Sequence, residues 1–178
     1  MKRILGITFA ALLAGNALAF DLTSTDMKNG HLLNMDQEYK GMGCKGGNLS
    51  PQLEWKNPPA GTLSYAVTVF DPDAPTGSGW WHWVVYDIPA TATSLPTGAM
   101  VKAPLPAGTK QGRNDFGDRN FGGACPPPGD KPHHYVFIVH ALKVAKLEVP
   151  EDASAALIGY MIQSNRLGLA KLMATYSR

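Results

Sequence analysis

The chain has 178 residues, enough for one domain of ordinary size with a buried core. Of its 16 Lys and Arg residues, Lys2 and Arg3 precede the first acidic residue, and the others balance the 14 Asp and Glu residues. Without those two residues the formal charge is zero, which argues against a basic surface for nucleic acid.

The N-terminus has the pattern of a secretory signal. A short basic start is followed by an apolar run over residues 4–14, and then by the small-x-small pattern Ala17-Leu18-Ala19. The run is shorter than the ~20 residues that span a bilayer, and no cysteine follows it closely. We therefore expect residues 1–19 to be a cleaved signal peptide, with neither a transmembrane nor a lipid anchor. Residues 20–178 form the expected domain.

The first third of the domain is rich in turns. Residues 20–27 alternate in polarity, Asn29-Gly30 is typical of a type I′ hairpin turn, and residues 31–35 are the expected return strand. Gly41-x-Gly43-x-x-Gly46 matches a dinucleotide-binding pattern by letter only. No helical stretch follows it, so its glycines are expected to serve turns.

The middle of the chain predicts four strands: 53–55, 65–70, 83–88 and 135–142. The last is apolar on both faces and is expected inside a sheet. Residues 90–131 show no periodicity and many Gly and Pro residues. Within this loop, 113–121 combines charged, amide and aromatic side chains, which favours an ordered functional segment.

The C-terminal region predicts one helix and one strand. A helix is expected from Pro150-Glu151-Asp152, with acids in its first turn and an apolar stripe of Leu157, Ile158, Met161 and Ile162. The pattern changes near Gly168, and residues 172–176 alternate as a short strand. The predicted fold class is mostly β and antiparallel, with one C-terminal helix.

Cys44 and Cys125 are the only cysteines. In an exported chain a disulfide between them is the natural interpretation. A thiol nucleophile has little support because each cysteine lies in a Gly- or Pro-rich loop, without a helix N-terminus to lower its pKa. Two cysteines so far apart are also a poor start for a zinc site.

Five side chains form the candidate site. Residues two apart on a strand share a face, so Asp71 and Asp73 are expected to point one way. His133 and Tyr135 likewise share a face, and His82 begins a neighbouring strand.

The remaining histidines fit ordinary roles. His134 faces away from His133 and is expected at the surface, as is His31. His140 lies in an apolar strand and is expected to be a hydrogen-bonded core residue.

Several chemistries use such a set. A metal site lacks ligand pairs at helical spacing, so no metal or other cofactor is expected. Acid–base catalysis by Asp71 or Asp73 with His82 or His133 lacks an evident nucleophile, so no catalytic residue is assigned. An anion pocket, with imidazoles as donors and aspartates orienting them, is the favoured interpretation. Plain side-chain packing is the alternative for any one histidine.

The motifs occur in an order that resembles the phosphatidylethanolamine-binding protein family, in its bacterial Raf-kinase-inhibitor-like branch. They are Asp71-Pro72-Asp73-Ala74-Pro75, Gly79 to Trp83, Gly112-x-Asn114-x-x-Gly117, Cys125-Pro126-Pro127-x-Gly129 and His133-x-Tyr135. The resemblance covers essentially residues 20–178.

The resemblance implies a β-sandwich with a large antiparallel sheet, a smaller sheet and a C-terminal helix. It implies a cavity for phosphate, acetate or a phosphoethanolamine-like head group. The cavity would be formed by Asp71, Asp73, His82, His133 and Tyr135, with Pro75, Trp83, Gly123 and Ala124 shaping it. It also implies a cis peptide bond between Ala74 and Pro75.

Two positions depart from the family pattern. Ala124 stands where relatives often have proline, which is expected to loosen the cavity rim. His134 stands where relatives have arginine, so a partner contact that needs that guanidinium is in doubt.

The expected function is therefore that of a periplasmic, non-enzymatic protein that binds a small anion or phosphorylated ligand and regulates or inhibits a protein target. The alternatives are a hydrolase that uses the Asp and His side chains, and a protease inhibitor that acts through its surface.

Overall fold

The computed structural model of the protein describes residues 18–178. The predicted signal peptide, except for its last two residues, lies outside the described residues. Ten strands and one helix follow in chain order: β1 (Asp21–Thr23), β2 (Lys40–Gly41), β3 (Cys44–Lys45), β4 (Leu53–Lys56), β5 (Ser64–Asp71), β6 (Trp80–Pro89), β7 (Ser94–Leu95), β8 (Lys110–Gln111), β9 (His133–Leu142), α1 (Ala155–Asn165) and β10 (Arg166–Tyr176).

The strands form a large sheet and two small ones. The central sheet has five antiparallel strands in the order β10-β9-β5-β6-β8. Strands β1, β4 and β7 form a three-stranded antiparallel sheet, and β2 pairs with β3. This architecture confirms the predicted mostly β fold with a large antiparallel sheet, a smaller one and a C-terminal helix.

Side chains alternate between the two faces of the central sheet, as strand geometry requires. On the inner face, Val67 and Val69 of β5 join Phe137 of β9 in a core shared with Trp55 of the small sheet. On the outer face, Ala66, Val84 and Leu142 contact the buried side chains of α1. The sheet therefore has a sandwich core on one side and a helix on the other.

The helix begins later than the sequence predicted. Ser154 is its N-cap, and the Ser154 hydroxyl accepts a hydrogen bond from the Leu157 amide at 3.1 Å. Pro150 to Ala153 forms a turn closed by the Ala153 amide, so the acids precede the helix. The prediction of acids in its first turn is wrong.

The predicted hairpin around Asn29-Gly30 is also wrong. The Gly30 amide donates to the Met173 carbonyl at 2.7 Å, and the Asn29 side chain accepts from the Met173 amide at 2.9 Å. Residues 31–35 form only an isolated bridge, Leu32 to Thr175. These contacts hold the turn against β10. Strand β10 is longer than predicted, because it begins directly after α1.

Cys44 and Cys125 form the predicted disulfide, with a Cα–Cα distance of 6.0 Å. It joins the β2–β3 hairpin to the loop that precedes β9. The bond closes a segment with a sequence separation of 81 residues, so it removes much conformational freedom from the unfolded chain.

We expect the double variant Cys44→Ser/Cys125→Ser to keep the fold and to lose about 4 kcal/mol of the free energy of unfolding, because the unfolded chain regains its loop entropy. Urea unfolding followed by far-UV circular dichroism measures this loss. Reduced wild-type protein is the control and should match the variant. A loss below about 1 kcal/mol in both would contradict the prediction.

Candidate functional site

A cavity of about 140 Å³ opens where β5 ends and where β6 and β9 begin. Antiparallel pairing of β5 with both neighbours brings these three points together. Asp71 is the last residue of β5, His82 is the third residue of β6, and His133 is the first residue of β9. We call this space, lined by these residues and Tyr135, the Asp71 cavity.

A β-bulge in β6 aims His82 at the cavity. In the register of β5 and β6, Val69 lies opposite Trp83. The next residue of β5, Phe70, lies opposite Trp81, so His82 is one extra residue in β6. As a result His82 and Trp83 both lie on the inner face, although they are adjacent in sequence.

Asp71 and His133 form a buried pair beside the cavity. The His133 Nδ1–H donates to Asp71 Oδ2 at 2.8 Å, and the two side chains are at most 5% exposed. The other oxygen of Asp71 accepts from the Asp73 amide at 2.8 Å. His133 Nε2 lies 3.5 Å from Asp130 Oδ2, on a side chain that is 43% exposed. The imidazole thus stands between two carboxylates, which fix its orientation.

His82 presents a nitrogen without a partner. Its Nδ1 lies 2.8 Å from the Gly122 carbonyl, which only accepts, so Nδ1 carries the proton. Its Nε2 is buried and has no hydrogen-bond partner in the protein. Burial lowers the pKa of His82, against smaller raising effects from Gly122 and Asp71. In the folded protein the neutral imidazole therefore offers a lone pair, and becomes a donor only when it takes up a proton.

The Tyr135 hydroxyl and the Trp80 indole N–H belong to residues that line the same cavity, and they too are buried without a hydrogen-bond partner in the protein. Burial, and then the charge of Asp71, raise the pKa of Tyr135, against a smaller lowering effect of the nearby Cys125 backbone. The phenol therefore keeps its proton and can donate a hydrogen bond to a ligand. The rings of Tyr135 and His82 meet edge to face, with centroids 5.0 Å apart.

The rest of the cavity wall is mostly apolar. Phe116 contacts Trp80 and His82 edge to face, at centroid distances of 5.2 and 5.5 Å, and stacks on Tyr39 at 4.1 Å. Met42, at the tip of the β2–β3 hairpin, reaches the same space. Such a wall lowers the local polarity and strengthens polar contacts made beside it.

Five of the predicted site residues line the cavity: Asp71, Pro75, His82, His133 and Tyr135. Asp73 does not, because the chain turns directly after β5. The Asp73 carboxylate instead accepts the amide and Nδ1–H of His134, both at 2.7 Å. Burial raises the pKa of Asp73, but the contacts with His134 outweigh it and lower the value. The prediction that both carboxylates point one way is wrong.

Trp83, Gly123 and Ala124 also lie outside the cavity lining. Trp83 is fully buried in the sandwich core, where its indole N–H donates to Gln111 at 2.6 Å. A Cβ at Gly123 would lie 2.3 Å from the Gln37 carbonyl, so this glycine permits close approach of two backbones. Ala124 exchanges backbone hydrogen bonds with Gln37 and Tyr39. Gly123 and Ala124 therefore contact the backbone of residues 37–39 and do not line the cavity themselves.

The Ala74–Pro75 peptide bond is trans, since residues 18–178 contain no cis peptide bond. The expectation of a cis bond is wrong here. Within the same residues, no three His, Cys, Asp or Glu side chains converge as metal ligands.

Eight lining residues were not predicted: Met42, Ala74, Thr76, Trp80, Phe116, Cys125, Pro126 and Pro127. Six of them lie in segments that the sequence marks. Phe116 falls in the loop 113–121, and the other five, Ala74, Trp80, Cys125, Pro126 and Pro127, belong to the motifs quoted above. Nothing local to Met42 signals its place, which depends on the disulfide that ties its hairpin to Cys125.

Comparison with known proteins identifies the family. A family model described as phosphatidylethanolamine-binding protein matches residues 23–177. The chain belongs to this family. Among relatives, the YbcL protein of Escherichia coli (strain K12) is 54% identical over 172 residues, 96% of this chain and 92% of that protein. The YbhB protein of the same strain is 45% identical over 157 residues, 88% of this chain and 99% of that protein.

Solved structures of the phosphatidylethanolamine-binding protein family have the same fold. The crystal structure of E. coli YbcL matches with a TM-score of 0.86 and 53% identity, covering 89% of this chain and 98% of YbcL. A homologue from Chlamydia trachomatis matches with a TM-score of 0.74 and 28% identity, over 90% of this chain and 98% of that one. In residues 18–178 of this family member, no helix is long and apolar enough to cross a bilayer.

We expect Tyr135→Phe to leave the protein as stable as wild type or to stabilise it by up to about 1 kcal/mol, because the hydroxyl is buried without a partner in the protein. The same variant should bind sulfate more weakly. Urea unfolding and titration calorimetry measure the two effects.

The matched control is Tyr86→Phe, in the outer core, which should leave sulfate binding unchanged. A Tyr135→Phe variant that is less stable by more than about 1 kcal/mol would show that the hydroxyl is satisfied internally.

Proposed function

We propose that this protein is a non-enzymatic binding protein of the periplasm that takes a small anion, or the anionic head group of a phosphorylated ligand, into the Asp71 cavity. One observation carries the proposal. His82 Nε2 and the Tyr135 hydroxyl are buried, lack partners in the protein and belong to the same small cavity. A buried polar group left unpaired costs about 1–3 kcal/mol, so both groups favour a ligand with polar atoms.

Anion binding in this cavity is coupled to a proton. The neutral His82 offers a lone pair that repels an oxyanion, whereas the imidazolium donates a charge-assisted hydrogen bond. Burial lowers the pKa of His82 in the free protein, and a bound anion would raise it. Binding therefore takes up a proton, so anion affinity falls as pH rises above the pKa of the free protein, until the pKa of the complex is also passed.

Sulfate is the sharpest probe because, unlike phosphate, it does not titrate near neutral pH. We expect its affinity to fall by up to about tenfold per pH unit between pH 5.5 and 8, since one proton is taken up per anion. Titration calorimetry in buffers of different ionisation enthalpy measures both the affinity and the proton uptake. The control is His82→Gln, whose amide keeps a donor toward Gly122 but does not titrate. A wild-type affinity independent of pH, or an equal slope in the control, would contradict the proposal.

Asp130 competes with the ligand for His133. Its carboxylate lies 3.5 Å from Nε2, the imidazole nitrogen that Asp71 leaves free. An anion that enters the cavity beside this nitrogen must displace or tolerate that carboxylate, which repels it.

We therefore expect Asp130→Asn to bind sulfate about fivefold more tightly, because one nearby negative charge is removed from a half-exposed position. Calorimetry at pH 6 and low ionic strength measures the change, and added salt should reduce it. Asp152→Asn is the matched control, since Asp152 is exposed and precedes the helix. Unchanged affinity in Asp130→Asn, or an equal gain in both variants, would show that Asp130 does not compete.

The hydrolase alternative has one favourable feature, the buried carboxylate–imidazole pair, which resembles an oriented base. The lining residues supply no activated nucleophile, because Cys125 is in a disulfide and the Thr76 hydroxyl donates to the Gly79 carbonyl at 2.5 Å. Steady hydrolysis of p-nitrophenyl phosphate by wild type, lost in His133→Ala, would overturn the binding proposal.

Export to the periplasm is supported by three observations. The N-terminus has a signal pattern, and the disulfide is typical of oxidising compartments. A relative in Mycobacterium tuberculosis, 35% identical over 133 residues, is named as a lipoprotein. Extraction of the periplasm by osmotic shock, followed by N-terminal sequencing for Phe20, tests both the compartment and the cleavage site.

The regulatory part of the proposal places a protein target at the cavity mouth. Met42 lines the cavity and is also 71% exposed, so a partner there would contact the hairpin and sense the ligand. A partner that binds wild type and His133→Ala equally, with and without sulfate, would show that its binding is independent of the cavity.

A further inference from the structure

A second cavity lies on the opposite face of the central sheet, between β5, β6, β9 and α1. It has a volume of about 510 Å³, within the range of roughly 300–1,000 Å³ typical of small-molecule sites. Strand alternation separates it from the Asp71 cavity, because Asp71 faces inward and Phe70 outward. We call it the helix groove, defined by Thr68, Phe70, Trp81, Ile138, His140 and Tyr160.

The walls of the helix groove suit an apolar, aromatic molecule. Phe70 and Trp81 form one side, with ring centroids 4.8 Å apart and planes inclined at 52°. Gly159 of α1 faces the indole, and a Cβ there would lie 3.3 Å from Trp81 Cη2. Tyr160, 67% exposed, marks the outer edge. Among the described residues, no Asp, Glu, Lys or Arg lines the groove, which favours a neutral ligand.

The floor of the groove holds a buried polar pair. His140 Nε2 lies 3.0 Å from the Thr68 hydroxyl, and His140 Nδ1 is buried without a partner in the protein. Burial, and then the charge of Arg166, lower the pKa of His140 to about 3, so the imidazole is neutral at physiological pH. The sequence predicted a hydrogen-bonded core histidine, and only one of the two nitrogens fits that description.

The chemistry of this pair indicates a hydroxyl group. If the Thr68 hydroxyl donates to Nε2, then Nδ1 carries a proton and needs an acceptor. If Nε2 donates instead, then Nδ1 needs a donor. A hydroxyl both donates and accepts, so it can pair with His140 in either tautomer.

We propose that the helix groove is a second binding site, independent of the Asp71 cavity, for a small neutral aromatic molecule that carries a hydroxyl group paired with His140. The aromatic part lies against Phe70 and Trp81, and the hydroxyl reaches the floor between β5 and β9. None of the residues that line the groove carries a charge, which favours a neutral ligand over an anion.

The test compares 4-methylphenol with toluene, which has the same ring and methyl group but no hydroxyl. The readouts are the imidazole nitrogen resonances of His140 and the indole N–H resonance of Trp81 by NMR. We expect saturable binding of 4-methylphenol, with shifts at both residues and an affinity about fivefold above that of toluene. Saturating sulfate should leave this binding unchanged, which separates the groove from the Asp71 cavity.

Two variants complete the test. His140→Phe keeps a ring of similar size and should abolish the preference for 4-methylphenol over toluene. Gly159→Leu fills the groove and should block both probes while sulfate binding persists, which also shows that the variant is folded. If Gly159→Leu does not fold, the His140→Phe comparison decides alone.

Three results would overturn the proposal. The first is the absence of saturable 4-methylphenol binding to wild type. The second is equal affinity for the two probes. The third is a dimer by analytical ultracentrifugation whose interface, mapped by NMR, covers Trp81 and Tyr160, because the groove would then be a contact between copies of this chain.

Discussion

One extra residue in β6 decides what both faces of the central sheet contain. Without the bulge at His82, strict alternation would place His82 and Trp83 on opposite faces. With it, the histidine enters the Asp71 cavity, the next tryptophan enters the sandwich core, and Trp81 before it faces the helix. The anion-binding proposal and the helix groove therefore depend on the same local irregularity in an otherwise regular ladder.

The Asp71 cavity contains buried polar groups without partners in the protein, which lower the free energy of unfolding. His133 is satisfied by Asp71, but His82 Nε2 and the Tyr135 hydroxyl are buried with no partner in the protein. Burial also keeps His82 neutral, which is the wrong charge for an anion. Such groups persist only if their surroundings hold them in place, and here hydrogen bonds to fixed backbone groups and an aromatic wall do so.

The sequence correctly predicted which side chains share a face within one strand, but not where side chains point after the chain turns. Period-two alternation correctly put His133 and Tyr135 on one face of β9. The same rule failed for Asp73, because the Asp71 side chain accepts the Asp73 amide and turns the chain. The family resemblance, not alternation, assigned Trp83 to the cavity, and Trp83 lies instead in the sandwich core. No local sequence pattern could predict that Met42 lines the cavity. Its hairpin is held there by a disulfide between cysteines with a sequence separation of 81 residues.

The two cavities share β5, and the position of this strand argues that they act independently. Strand β5 is hydrogen-bonded to β6 on one side and to β9 on the other, so it has no free edge along which to slide. Coupling between sites requires an element with two arrangements that each ligand favours differently. Strand β5 is hydrogen-bonded on both sides, and Thr68 is joined to His140 across the ladder, so nothing in this structure offers β5 a second arrangement. We therefore expect occupation of one face to leave the other unchanged, with the sheet separating the two sites rather than connecting them.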